Sequence, residues 1–215
     1  MDNKGKKFQK AFLIFTIAQF FMVLGLFGNV TSIKALSNWL FLFGFCKLIG
    51  GILMIIASSM LYQYNKNYFY FFVTTIIDMF IFIICMIGEE STEDVTVAFS
   101  RGLSITADIL LGIVYIYFFL GTRDYFKEEE LIESNSKKSK IGFIIIIVLM
   151  IVINLLSFIK TFDVVKTNLI ATAIFKYGAF ITKLVMYVFI FVVLVLMMIN
   201  LQKKRKEIAT NEKEQ

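Results

Sequence analysis

The chain has 215 residues, of which 59% are apolar or aromatic and only 18% are charged. Soluble domains carry roughly 45–50% apolar and about 25% charged residues, and the mean hydropathy here is +0.80. These values exclude a disordered chain, a disulfide scaffold and an ordinary soluble enzyme. The net charge of +6 comes from basic residues that cluster at the ends of long apolar runs. The sequence therefore predicts an integral membrane protein.

Two residue types are missing from the whole sequence, histidine and proline. Without histidine, zinc proteases of the HEXXH type and enzymes with a Ser–His pair are excluded. The two cysteines, Cys46 and Cys85, both fall in apolar segments, where free cysteine packs as a small apolar residue. We therefore expect no catalytic residues, no metal site and no cofactor.

Six segments are long and apolar enough to cross a bilayer, because a spanning helix needs about 20 mostly apolar residues. The predicted helices cover approximately residues 11–30, 39–62, 68–88, 97–120, 141–159 and 179–200. Residues 121–140, which mix acidic and basic side chains, are predicted to be a solvated cytoplasmic linker. We expect residues 1–215 to form a single all-α transmembrane bundle of three hairpins.

The distribution of Lys and Arg predicts the orientation of this bundle. If the N-terminus is cytoplasmic, fifteen of the 22 Lys and Arg residues fall on the cytoplasmic side and five on the other. Short cytoplasmic loops carry such an excess, so both termini are predicted to be cytoplasmic. The Phe-rich and Ile-rich, proline-free composition favours a low-GC bacterium and hence its plasma membrane. Basic residues at these positions suit a lipid bilayer as partner, and no nucleic acid is expected.

A weak threefold pattern links the even-numbered helices. In each of them one ionisable residue, Lys47, Asp108 or Lys183, precedes an apolar run. In two of them a glycine follows four positions later, at Gly51 and Gly112. Either the chain contains a triplicated hairpin, or low-complexity membrane sequence produces the match by coincidence.

Four ionisable residues interrupt the apolar runs: Lys47, Asp78, Asp108 and Lys183. Such residues are costly in a bilayer and usually face a bundle interior or a cavity. Asp78 and Asp108 each lie about ten residues into their segments. At ~1.5 Å per residue this distance is ~15 Å, near the middle of the ~30 Å hydrocarbon core. Two acids and two bases at one depth can neutralise each other, and Lys47 is the first predicted partner of Asp108, with Asp78 as its competitor.

Two further basic residues extend this group toward the outer surface. Arg101 precedes Asp108 by seven residues, and Lys176 precedes Lys183 by seven, so each pair shares one helix face. The resulting polar stripes predict either a water-filled vestibule that opens outward or amphipathic collars in the headgroup layer. All six residues form the candidate polar network or solute site.

Two functional classes agree with these observations. The first is a non-enzymatic accessory, immunity or assembly component whose buried charges hold helices or another membrane subunit. The alternative is a small transporter, channel or substrate-binding subunit with an outward cavity for an anionic or zwitterionic solute. Asp78 and Asp108 could form an aspartyl dyad, but the glycine-rich motifs that accompany such dyads are missing. We therefore expect no enzymatic activity.

Overall fold

The computed structural model describes residues 3–27, 40–88, 94–128, 133–159, 162 and 167–211. The described residues form six α-helices and no strand. The helices are α1 (Asn3–Leu26), α2 (Leu40–Leu61), α3 (Lys66–Gly88), α4 (Asp94–Glu128), α5 (Glu133–Ile159) and α6 (Leu169–Asn211). All six contain a stretch that is long and apolar enough to cross a membrane. The predicted class, an all-α multi-pass membrane protein, is confirmed at this level.

Several helix ends differ from the prediction. The segment 121–140, predicted as a linker, is helical up to Glu128 and again from Glu133, while 129–132 lie outside the described residues. The reason is that Lys, Glu and Arg favour helices although they are polar, so a hydropathy pattern ends before the helix does. For the same reason α1 begins at Asn3, and α6 reaches Asn211. Residues 28–30, predicted to end the first helix, lie outside the described part.

The helices form a closed ring in which each one packs against its neighbours in sequence and α1 packs against α6. Phe8 near the start of α1 contacts Tyr64 after α2 and Tyr125 near the end of α4. Asn135 near the start of α5 donates to the Met197 carbonyl of α6. Successive helices therefore run in opposite directions. The ring does not single out three separate hairpins, and the threefold repeat stays a prediction.

One end of this ring is rich in basic side chains, and we call it the basic end. It is the end at which α1, α3 and α5 begin and α2, α4 and α6 finish. Exposed lysines there are Lys6, Lys7, Lys10, Lys66, Lys137, Lys140 and Lys203. The other end is called the opposite end below.

Aromatic side chains fill the ring interior toward the basic end. Phe8 stacks on Tyr125 with ring centroids 3.8 Å apart, and Phe15 stacks on Phe118 at 4.2 Å. Both contacts join α1 to α4 across the ring, and all four side chains are almost fully buried. Lipid tails are as apolar as these rings, so close packing rather than escape from water holds such a core together. We call this set, with Phe12, Tyr68 and Phe71, the aromatic plug.

A glycine lets α1 and α2 approach closely near the opposite end. A Cβ atom added to Gly25 would lie 2.7 Å from the Cβ of Lys47 and 2.9 Å from its Cα. Only a residue without a side chain fits this contact. Gly25 thereby places the α2 backbone, and with it Lys47, directly against α1.

Candidate functional site: an intramembrane charge cluster

Four of the six predicted site residues surround one cavity on the opposite-end side of the aromatic plug. Lys47 of α2, Asp78 of α3, Asp108 of α4 and Lys183 of α6 all line it. The cavity volume is about 70 Å³. Its wall is otherwise mainly apolar, with Met22, Met54, Met79, Phe82 and Leu111 among the lining residues. We call the four ionisable residues the charge cluster.

Asp108 forms an ion pair with Lys183. The Lys183 Nζ lies 2.7 Å from Oδ1 and 2.7 Å from Oδ2 of Asp108. The pair joins α4 to α6, which are separated in the ring by α5. The sequence analysis predicted Lys47 as the first partner of Asp108, whereas the observed partner is Lys183. The spacing of residues along a helix indicates their depth in the bundle but not the rotation of the helix about its axis. That rotation determines which base meets which acid.

Lys47 occupies the other side of the cluster. Its Nζ lies 4.1 Å from the centroid of the Phe82 ring on α3. Aromatic faces attract cations, and more strongly where water is excluded. Asp78 is within electrostatic range of both Lys47 and Asp108. Two carboxylates and two ammonium groups thus face one small space, and their formal charges cancel.

The depth of the charge cluster in a bilayer stays a prediction. Asp78 lies ten residues before the end of α3 at Gly88, and Asp108 lies fourteen residues after the start of α4 at Asp94. The Asp108 and Lys183 side chains keep 16% and 22% of their surface exposed.

Two tyrosines lie between the cavity and the aromatic plug. The Tyr115 hydroxyl donates to Oε1 of Gln19 over 2.7 Å. The rings of Tyr115 and Tyr187 pack edge to face, with centroids 6.0 Å apart, and Tyr187 lines the cavity.

This arrangement was not predicted from the sequence. Tyrosine is common in membrane proteins at the bilayer interfaces. The sequence therefore does not distinguish Tyr115 and Tyr187, which lie inside the bundle, from tyrosines of an interfacial aromatic belt. Gln19 stands out as an amide in an apolar run, which indicates a bond across helices but not its partner. Its Nε2 is buried without a hydrogen-bond partner among the described residues.

Two predicted site residues remain, Arg101 on α4 and Lys176 on α6. Their side chains lie outside the described part of the chain. The outward polar stripe therefore stays a prediction. Cys46 is a free, buried cysteine, as expected, whereas the side chain of Cys85 is not described.

The described residues contain no group of three or more Asp, Glu, Cys or His side chains that could hold a metal ion. In comparisons with protein-family models, curated proteins and solved structures, no match to this chain was found. The arguments about function that follow therefore depend on the charge cluster and on the surface of the ring.

Proposed function

We propose that the protein is a non-enzymatic component of the bacterial plasma membrane, an accessory, immunity or assembly subunit, in which the charge cluster has a structural role. The observation that carries this proposal is the Asp108–Lys183 ion pair. It connects two helices that are not neighbours in the ring, with Nζ at 2.7 Å from both carboxylate oxygens. An ion pair inside apolar surroundings favours one arrangement of its helices, since each misplaced charge would be left alone.

The size and charge of the cavity support a structural role over a solute site. Pockets that enclose organic ligands usually measure about 300–1,000 Å³, whereas this cavity measures about 70 Å³. The formal charges of its two acids and two bases also cancel. An anionic solute that bound Lys183 would have to displace Asp108, at the cost of leaving a carboxylate unpaired.

The same contacts argue against an aspartyl dyad. In such dyads two carboxyl groups share one proton at close range. Both oxygens of Asp108 are instead occupied by the Lys183 ammonium group. A lysine in that position favours a permanent ion pair over proton transfer, which supports a non-enzymatic role.

A double-mutant cycle tests the structural role. Asp108→Asn and Lys183→Met should each lower the free energy of unfolding by about 3 kcal/mol, because each leaves a charge without its partner. The value is at the low end for buried pairs because both side chains are partly exposed. The double variant should recover at least half of this loss. Unfolding would be measured in detergent for the full chain.

A matched control is available at the basic end. Arg123 and Asp124 form an ion pair at 2.9 Å with 35% and 27% of their side chains exposed. Pairs of this exposure contribute about 0–1 kcal/mol, so Arg123→Met should change stability little. Additive losses in the Asp108–Lys183 cycle, or losses no larger than the control, would contradict the structural role.

A second candidate, a site for a small solute or ion, is favoured by one observation. Asp78 and Tyr187 line a cavity whose ion pair, Asp108–Lys183, is partly exposed. For a solute site, Asp78→Asn would leave the unfolding free energy unchanged within about 0.5 kcal/mol but remove solute-dependent stabilisation or uptake into liposomes. A structural role predicts a loss of stability with no effect on flux.

A further inference from the structure

An apolar groove runs along the outside of the ring between α4 and α5. Its volume is about 490 Å³, and its walls come only from these two helices. On α5 the groove residues include Ile151 and Phe158, which expose 54% and 56% of their surface. The opposite face of α5, with Ile146 and Ile153, is buried against the rest of the ring. The groove therefore faces outward in the apolar zone of the helices.

The α5 residues of this groove have the spacing of a helix–helix seam. Ile147, Ile151, Asn154 and Phe158 all line the groove and follow one another at intervals of four, three and four residues. This alternation keeps side chains in one stripe along a helix and is the pattern of two helices that pack as a coiled coil. Ile144, three residues before Ile147 and 51% exposed, continues the stripe toward the basic end.

Asn154 is the polar residue in the stripe from Ile144 to Phe158, and its amide is only half satisfied. Its Nδ2 donates to the Met150 carbonyl over 2.8 Å. Its Oδ1 is buried and has no hydrogen-bond partner in the described part of the chain. In the apolar zone of a bilayer neither water nor a lipid tail can supply the missing donor. Because neighbouring side chains cover Oδ1, an N–H or O–H group of an occupant reaches it once the Asn154 amide rotates toward the groove that Asn154 lines.

We propose that the groove binds a second copy of this chain, with α5 packed against α5 and Asn154 against Asn154. An amide group is self-complementary, since each Nδ2 has a second hydrogen and each Oδ1 accepts one. Dimers with twofold symmetry are the commonest oligomers, and their interfaces pair a residue with its own equivalent. In a membrane the twofold axis is normal to the bilayer, so the two Asn154 residues lie at the same depth. A single asparagine in such a seam fixes the register of two paired helices.

Disulfide cross-linking of the full chain in liposomes tests this proposal. In a variant with Cys46→Ala and Cys85→Ala, Ile151→Cys should form a cross-linked dimer upon mild oxidation. Val152→Cys is the matched control, because it is also exposed on α5 but does not line the groove. It should cross-link at least about fivefold more slowly, a factor that corresponds to roughly 1 kcal/mol.

The role of the amide is tested by substitutions at Asn154 in the Ile151→Cys background. Asn154→Leu should weaken dimer formation about tenfold, as expected for interhelical hydrogen bonds between polar side chains in membranes. Asn154→Gln, which keeps the amide, should retain most of it. Equal cross-linking at positions 151 and 152, or no effect of Asn154→Leu, would overturn the proposal and leave lipid as the occupant of the groove.

Discussion

Gln19 illustrates how single polar side chains are accommodated in the interior of this bundle. It is fully buried on α1, and its Oε1 accepts the hydroxyl proton of Tyr115 on α4. The aromatic plug also joins these two helices. The hydrogen bond is a directional contact between helices whose other contacts are apolar. Inside a bilayer the alternative to this bond is an unsatisfied amide oxygen, since water is excluded.

Removal of the Tyr115 hydroxyl should therefore be costly. Tyr115→Phe leaves Gln19 Oε1 without a donor, so we expect a loss of about 1–3 kcal/mol in the free energy of unfolding. Gln19→Leu combined with Tyr115→Phe should be more stable than Tyr115→Phe alone. Tyr62→Phe, at an exposed tyrosine, is the control and should stay within about 0.5 kcal/mol. Equal effects at positions 62 and 115 would show that the buried bond contributes nothing.

The four residues of the charge cluster could be identified from the sequence because an ionisable residue in an apolar run is conspicuous by itself. The pairing within the cluster could not, since Lys47 and Lys183 both lie on helices that face the same cavity. The choice between them depends on how α2 and α6 rotate about their axes. That rotation is determined by packing contacts such as the one between Gly25 and Lys47, which involve residues far apart in the sequence.

At the scale of helices, the number of spans and their approximate centres follow from hydropathy alone. The helix ends do not, because α4, α5 and α6 continue through charged segments that favour helix without being apolar. α6 has 43 residues, about 64 Å at ~1.5 Å per residue, roughly twice the ~30 Å hydrocarbon thickness. A helix of this length extends beyond the apolar layer unless it is steeply tilted.

The close contact of α1 and α2 can be tested at the glycine that permits it. Gly25→Ala should lower the stability of the full chain by about 1–3 kcal/mol, because overpacking forces the α2 backbone at Lys47 to shift. Gly44→Ala is a matched control on α2, since a Cβ there would meet no atom within 4 Å. Alanine favours helix over glycine by about 1 kcal/mol, so Gly44→Ala should be neutral or stabilising. Thermal unfolding in detergent distinguishes the two, and equal shifts would contradict the packing argument.

At the scale of the whole molecule, the closed ring places α1 beside α6 and gathers the basic residues at one end. If this end is cytoplasmic, cysteine labelling in intact cells should show positions 137 and 204 protected from an impermeant reagent. Cysteines at 93 and 163, which lie outside the described residues, should be labelled. Labelling of positions 93 and 137 from the same side would contradict the six-helix topology, because α4 must place them on opposite sides of the membrane.

The order of the charge cluster along the chain also has a consequence for biosynthesis. Lys183 follows Asp108 by 75 residues, so at 5–20 residues per second the ribosome needs about 4–15 s to make the second partner after the first. The cluster residues emerge as base, acid, acid and base. The running charge contributed by the cluster is therefore plus one, zero, minus one and finally zero. The nascent bundle never has to accommodate more than one unmatched charge from this cluster, and it becomes neutral only when its last helix is inserted.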